Sequence, residues 1–575
     1  MIRIHISRPK PQTHFIHFKM EVDNIGSEWE DFQLPTWRPG RYELGDFSKK
    51  IGAFKAFSPS GESLTVQKKN HSLWSVETKG EAKIIINYTV YGDVLNAGSS
   101  YLDQDLLYLN PVNTFFYRPD QEEGYEIGLD IPADYRVSWP LKEVDGIWKA
   151  ADKEELFESV LMASEAVKYD FYEVEGYRFH LWFVGNSKPA WRKLKRDFTR
   201  FTKAQIKAFG DFPVPEYHFQ FLCLPKRFYH GVEHTASTVI ALGPAGQLMK
   251  GERYESLLGV SSHELYHTWN IKQIRPAELW PYDYTGENYT RMGYLAEGVT
   301  TYMGDVFLAL SGVFTWEQFK QTQEENLQKH ADNFGRLNLS LADSSFDLWV
   351  DGYEPGIPNR KVSIYADGAL CIFLIDRAIR KKSEFKQNFH DLMKRLYHDF
   401  PKKGKGVSEA DFRALAIEMG GAEAEKIIDH LMYGTDDYSP YLKKAFAEIG
   451  LKRVEEANPK LDMRLLGIKA IKSNGKDGKI VSKMAPNSPA EKGGIGVGDE
   501  ILAVNGNKIK TSLSAALESL EGKEVALTVK NAWKTRNLVL KLDGKSYYPL
   551  QKLAKIERPS SAQKKAFEDW TGIEF

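Results

Sequence analysis

The stretch SSHELYHTWN, residues 261–270, decides how this chain is read. It sets His263, Glu264 and His267 in the order HExxH. On a helix, residues four apart lie one turn apart on the same face, so the two imidazoles can grip one metal ion. Glu264 sits beside them, where it can take a proton from a metal-activated water. That is the chemistry of metal-assisted hydrolysis, most often of a peptide bond. The bland alternative is an amphipathic helix with two polar histidines. The context favours the metal. ERYESLLGVSSHELYHTWNI reads as one helix with Leu257, Leu258, Val260, Leu265 and Trp269 as apolar positions, no proline and one interior glycine.

A zinc site with an open position needs a third protein ligand. Thirty residues downstream, GYLAEGVTTYMGD holds Glu297, the only acid between Arg291 and Gly304. A lone carboxylate in an apolar, small-residue helix costs free energy unless something pairs with it, and a metal is such a partner. The alternative is a helix-surface glutamate. Two imidazoles and a carboxylate suit one Zn²⁺ per chain, with Mn²⁺ or Co²⁺ as substitutes in vitro.

Working outward, 575 residues are too many for one core and suggest roughly four domains. Charge is balanced, 77 basic side chains against 78 acidic, which gives no overall footprint for nucleic acid or an anionic membrane. The aromatic content of 13% argues for large β-rich cores or aromatic-lined clefts. Cys223 and Cys371 both lie in apolar runs, so buried free thiols are expected and no disulfide framework. No apolar leader and no membrane-length apolar run is present, and a soluble cytoplasmic enzyme without membrane insertion is the expectation.

The pattern of elements predicts a multidomain α+β chain. Residues 1–170 or so show short period-2 runs (IHFKMEV, HSLWSVET, AKIIINYTVYG, YEIGLDI and, at the end, RFHLWFVG) broken by Gly, Pro, Asn and Asp, and read as a β-sandwich. LPTWRPGRYELGDFSK between them reads as an ordered loop or sheet edge. Residues 171–312 hold a basic amphipathic helix ended by Gly210 and Pro213, the strand YHFQFLCL, the loop PKRFYHGVEHTAST, the apolar STVIALG, and the two helices already described. Residues 313–458 are mostly helical. Residues 459–545 form a separate module, with RLLGIKAIKS, GKIVSKM, ILAVNG, EVALTVK and NLVLKL as strands and SLSAALESL as a helix. The tail, 546–575, is charged and expected to pack loosely or against a neighbour.

With these residues in view, the chain resembles the M61 family of zinc peptidases, the glycyl aminopeptidase family, over nearly its whole length. The marks are LPTWRPGRY (34–42), GVEHTAS (231–237), HELYHTWN (263–270), LAEGVTTY (295–302), YADGALCIFLIDRAIR (365–380) and a final module that resembles PDZ. The resemblance implies a thermolysin-like α/β catalytic domain of the gluzincin type, related to the M1 aminopeptidases, with zinc and Glu297 as third ligand. It implies Tyr365 as the hydrogen-bond donor to the oxyanion, the alternative being a packed tyrosine. It also gives Gly231 and Glu233 a substrate-binding role, Glu233 capturing the free α-amine. The alternative for Glu233 is an ordinary pairing with a cation such as Arg227. His234 reads as a cleft or structural residue. One departure stands out: related M1 enzymes carry a Lys where this chain has Asp367.

In the PDZ-like module, RLLGI (464–468) resembles a carboxylate-binding loop, with Leu466, Gly467 and Ile468 presenting backbone N–H groups to a peptide C-terminus. Peptides are the expected substrates, and aminopeptidase action on N-terminal Gly or Ala is what the family implies. The competing expectations are a PDZ-assisted endopeptidase on unfolded protein, and a non-catalytic peptide-binding adaptor, against which the intact HExxH and Glu297 speak.

Overall fold

The computed structural model describes residues 1–473, 478–518, 520 and 522–575. At the N-terminus, Ile2–Ser7 runs antiparallel to Phe15–Asp23 and parallel to Tyr125–Asp130 in the middle of an eight-stranded sheet. Alternation drives this layer: Ile2, Ile4, Ile6, Ile16, Phe18, Met20 and Val22 all point inward. Three- and four-stranded sheets complete a β-rich domain.

The segment 34–50 is an ordered loop, and it leaves the β-rich layer to reach the catalytic body. The Trp37 indole N–H donates to the Asp283 carbonyl at 2.6 Å, and the Thr36 N–H donates to the Tyr284 carbonyl at 2.9 Å. Trp37 is fully buried against Tyr42, Tyr282, Tyr284 and Trp349.

The catalytic body is built on a five-stranded sheet in the order Lys168–Val174, Tyr177–Gly185, Glu216–Cys223, Ser237–Gly243, Phe228–Glu233. Its three middle strands are parallel, which demands a crossover, supplied between the first two by the helix Trp191–Phe209. Gly210, at φ +99°, ends that helix as expected. Phe228–Glu233 corrects the loop expected there. It is a short edge strand antiparallel to Ser237–Gly243, pairing Gly231 with Ile240 and Glu233 with Thr238. Its Gly231 and His230 hid the strand pattern. Against this sheet packs the metal-motif helix Gly251–Tyr266, and the helix Val299–Leu310 packs on that helix. Further helices (Trp316–Ala331, Ala366–Lys382, Phe389–Asp399, Glu409–Ile427) form the rest of the body.

The last module is an insertion. Leu451–Glu456 and Leu550–Lys555 pair antiparallel, Glu456 opposite Leu550, so the chain leaves the body and returns on one two-stranded stalk. Between them, Ile468–Lys472, Lys479–Met484, Glu500–Val504, Glu524–Lys530 and Thr535–Lys541 form a sheet around a separate core that includes Leu466, Ile468, Val481, Ile501, Val525 and Leu540. Two expectations change here. Residues 464–466 lie in a helical turn (Asp462–Leu466), not a strand. The helix of SLSAALESL covers only Leu513–Ala516, and Ser519 lies outside the described residues. The segment from 546 onward is no loose tail. After the stalk strand, the helix Ser561–Thr571 buries Phe567 and Trp570 in the main core, and the Trp570 indole donates to the Tyr302 hydroxyl at 2.9 Å.

Candidate active site

The HExxH helix ends at Tyr266, so His263 lies on its last turn and His267 on its cap. The two Nε2 atoms are 3.0 Å apart. Glu297 comes from a π-helical turn, Tyr294–Gly298, which opens the next helix. Such turns displace a side chain from its regular helical direction and recur at functional sites. This one aims Glu297 Oε2 at both imidazoles, 3.5 Å from each Nε2. The two helices can approach because Gly304 faces His263: a Cβ there would lie 3.1 Å from the His263 Cα.

Outer contacts fix the ligands. The His267 Nδ1–H donates to the Asn270 carbonyl at 3.0 Å, which leaves the Nε2 lone pair facing the centre. The Asn270 side chain in turn donates to the Leu295 carbonyl at 2.7 Å and to Thr300 Oγ1 at 2.9 Å, tying the end of one helix to the π-turn of the other. Glu297 Oε2 is buried with no hydrogen-bond partner. An orphaned carboxylate oxygen between two imidazole lone pairs is the donor set of a zinc ion, so the residues present fit that metal.

Three carboxylates surround the imidazoles. Glu233, Glu264 and His267 also bring ligand atoms within 4.8 Å of one another, and Glu233 Oε1 and Glu264 Oε2 have no hydrogen-bond partner. Burial pushes the Glu264 carboxyl well above its usual range; His267 opposes this, and Glu233 and Glu297 add to it. For Glu297, burial is outweighed by His267 and His263, which hold the carboxyl at about 2. A cation at the centre favours the ionised form of Glu264 that a base needs. Gly231 lets this happen: a Cβ there would lie 2.1 Å from Glu264 Oε1. His263, Glu264, His267, Glu297, Gly231, Glu233 and Tyr365 all line one cavity of about 900 Å³.

Glu233 is not paired with Arg227. It faces the loop from the N-terminal domain, where Gly40, at φ +81°, would set a Cβ 2.4 Å from Glu233 Oε2. Arg38, 4% exposed, is a nearby cation: burial lowers the pKa of its guanidinium, and Glu233 opposes that. Tyr365 stands just before the helix Ala366–Lys382, and burial, then Glu297, raises its phenol well above the usual range. Tyr353 faces it from the loop after Asp351. Asp367 turns away from the centre to accept from His330 Nδ1 at 2.6 Å and the Ser363 N–H at 3.0 Å, so the departure from the M1 pattern serves the helix start. His234 is buried, with Nδ1 3.9 Å from Glu158, outside the metal centre. Sequence reading missed Arg38, Gly40, Tyr42 and Tyr353. LPTWRPGRY was a visible signal, but nothing local tells which cleft it reaches.

A second group, His180, Glu216 and His218, also has metal-like spacing. Trp182 donates its indole N–H to His218 Nδ1 at 3.2 Å, so the proton of that neutral ring sits on Nε2 and no lone pair remains for a metal. In the inserted module, Leu466 and Ile468 are buried. Gly467, at φ +71°, donates its N–H to the Met463 carbonyl at 3.2 Å and is crowded by Ser488 and Tyr547.

A β-rich domain lending a loop to an HExxH–Glu cleft suits a zinc metallopeptidase. The chain matches the M61 glycyl aminopeptidase family model over residues 256–371, the Peptidase M61 N-terminal domain over 3–165, and a PDZ domain over 480–531. Over these stretches it is similar to the M61 peptidases, and it is a zinc metallopeptidase with a C-terminal PDZ domain. Its fold is that of an aminopeptidase N family protein from Idiomarina loihiensis, at 23% identity and a TM-score of 0.91, covering 99% of this chain and 100% of that one. An M1 zinc metallopeptidase from Deinococcus radiodurans aligns at 15% identity and a TM-score of 0.46, covering 76% of this chain and 94% of that one. No curated protein sequence matches the chain. Among the described residues, no helix is long and apolar enough to cross a membrane.

Proposed function

We propose that this peptidase removes small N-terminal residues, glycine or alanine, from peptides, with one zinc per chain held by His263, His267 and Glu297. Bound there, zinc supplies Lewis acidity, making a water acidic and polarising the scissile carbonyl. Glu264 takes the proton of the attacking water and hands it to the leaving amine. Tyr365 donates a hydrogen bond from its hydroxyl to the oxygen that gains charge. The edge strand Phe228–Glu233 offers backbone groups to an extended substrate, and Glu233 at its end pairs with the α-ammonium. The Lewis-acid centre and the ammonium site then stand one residue apart, so only the first peptide bond is reached. The domain ranges 1–170, 171–312, 313–458 and 459–545, and the docking of peptide C-termini on the PDZ module, belong to the same reading.

The observation that carries it is Glu233: 4% exposed, one oxygen without a partner, beside Glu264 and His267. A buried negative charge so placed calls for a cation. Gly- and Ala-anilides, each with and without N-acetylation, test it. Free amines should be hydrolysed and acetylated ones spared, and Glu264→Gln should keep its zinc while losing turnover. Hydrolysis of the acetylated forms would make the enzyme an endopeptidase, and a working Glu264→Gln enzyme would remove the base.

A further inference from the structure

The edge strand Phe228–Glu233 is longer than one scissile bond requires. It borders its sheet and has a partner on one side only. Where its hairpin turns, the His234 N–H donates to the Ser237 carbonyl at 2.9 Å. From such a bonded pair, non-bonded and bonded pairs alternate along an antiparallel ladder. The pairs Glu233–Thr238, Gly231–Ile240 and Tyr229–Leu242 are therefore the non-bonded ones. Glu233, Gly231 and Tyr229 thus turn their backbone N–H and C=O groups to the open edge.

The side chains of these three residues share one face of the strand. Gly231 shows which face, since a Cβ there would meet Glu264 and Val260 of the motif helix. The Phe228 and His230 rings, 6.5 Å apart, lie on the other face. Tyr229 lines the catalytic cavity at 62% exposure, and its ring and hydroxyl make no ring contact and no hydrogen bond among the described residues. Gly259 lines the same cavity, and a Cβ on it would meet nothing within 4 Å, so the space beside the motif helix is open. Two strand residues, about 7 Å, separate Tyr229 from Gly231. The cleft also runs on: Gln318, Gln321 and Glu325 line both it and a second cavity of about 690 Å³ that reaches Leu550 and Lys552 on the stalk.

The next step rests on the aminopeptidase reading above. With the ammonium at Glu233 and the second residue beside Gly231, an extended peptide runs antiparallel to the strand and advances in step with it. Its fourth residue then stands opposite Tyr229. A dipeptide ends short of that rung. A longer chain pairs its backbone there and lays a side chain along the phenol ring. Cross-strand pairs of an aromatic with another aromatic or a β-branched residue are favourable. We propose that Tyr229 is a specificity-determining residue, binding the downstream backbone through its N–H and C=O and the fourth side chain through its ring, so that extended oligopeptides of four residues or more, and not dipeptides, are the preferred substrates.

The test measures kcat and KM for release of the first alanine from Ala-Ala amide, tetra-alanine amide and Ala-Ala-Ala-Phe amide. The zinc-loaded wild type should favour tetra-alanine amide over the dipeptide amide about tenfold in kcat/KM, mostly through KM. Phe in the fourth place should add roughly two- to fivefold. Tyr229→Ala should erase the preference for Phe over Ala there. Tyr229→Pro removes an outward N–H at an edge position where proline is tolerated, and should lower the ratio of tetrapeptide to dipeptide. Each comparison is a ratio within one enzyme, and the wild-type series decides even where a variant does not fold. A wild-type ratio near one overturns the inference and leaves the aminopeptidase reading standing, as do folded variants that keep both wild-type ratios. Cleavage of none of the three peptides overturns both.

Discussion

Replacing Gly231 with alanine reaches the proposed base by steric force alone. Gly231 has no left-handed backbone, so alanine brings no backbone strain. Its new Cβ would lie 2.1 Å from Glu264 Oε1 and 2.8 Å from both Glu264 Cδ and Val260 Cγ2, where ordinary contact begins at 3.4 Å. Val260 is buried and β-branched, one turn before Glu264 on the same helix, so the strain falls on the carboxylate. That carboxylate must retreat by about 1 Å, and a misplacement of that size costs roughly 100-fold in rate. Overpacking adds about 1–3 kcal/mol of destabilisation. Turnover of a Gly-anilide, zinc content and thermal melting measure the three effects separately. The expected variant is folded, carries zinc and is about 100-fold slower in kcat. A folded, zinc-loaded Gly231→Ala enzyme with wild-type kcat refutes the reasoning, and a rate loss matched by zinc loss shifts the fault to the ligands.

Asn270→Ala removes the donors that bind the π-turn to the motif helix, and a chelator competition should find zinc held about 10–100-fold more weakly. Asp376 accepts from the Tyr302 hydroxyl at 2.6 Å, Arg380 Nε at 2.9 Å and the Phe389 N–H at 2.8 Å. Burial opposes its charge, but Arg380 and Tyr302 prevail and lower its pKa. A depressed carboxylate stabilises the fold above its unfolded value of about 3.9 and ceases to as pH falls through the folded value. Asp376→Asn should therefore lose about 3–5 kcal/mol at neutral pH, with urea midpoints that vary less than wild type below about pH 4. Trp570→Ala empties a site packed by Phe319 and Phe373 and should cost about 3–5 kcal/mol in denaturant unfolding.

The metal motif was legible because its spacing is local: four residues on one helix bring two imidazoles together whatever the rest of the chain does. Glu297 was legible as an acid out of place in apolar surroundings. The edge strand was hidden because Gly231 breaks the strand pattern, for the sake of Glu264. Arg38, Gly40 and Tyr42 act nearly two hundred residues before Glu233, and only packing of the N-terminal loop on Tyr284 and Asp283 reveals where they go. The stalk was invisible for a related reason. Leu451–Glu456 and Leu550–Lys555 have no pattern that names each other as partners across an intervening module.

That stalk makes the PDZ module a detachable part. Because Glu456 and Leu550 stand side by side, residues between them can be excised and the gap closed with a short turn. The body would keep both stalk strands and the helix bearing Trp570. Any other fold whose ends emerge close together could be plugged into the same socket.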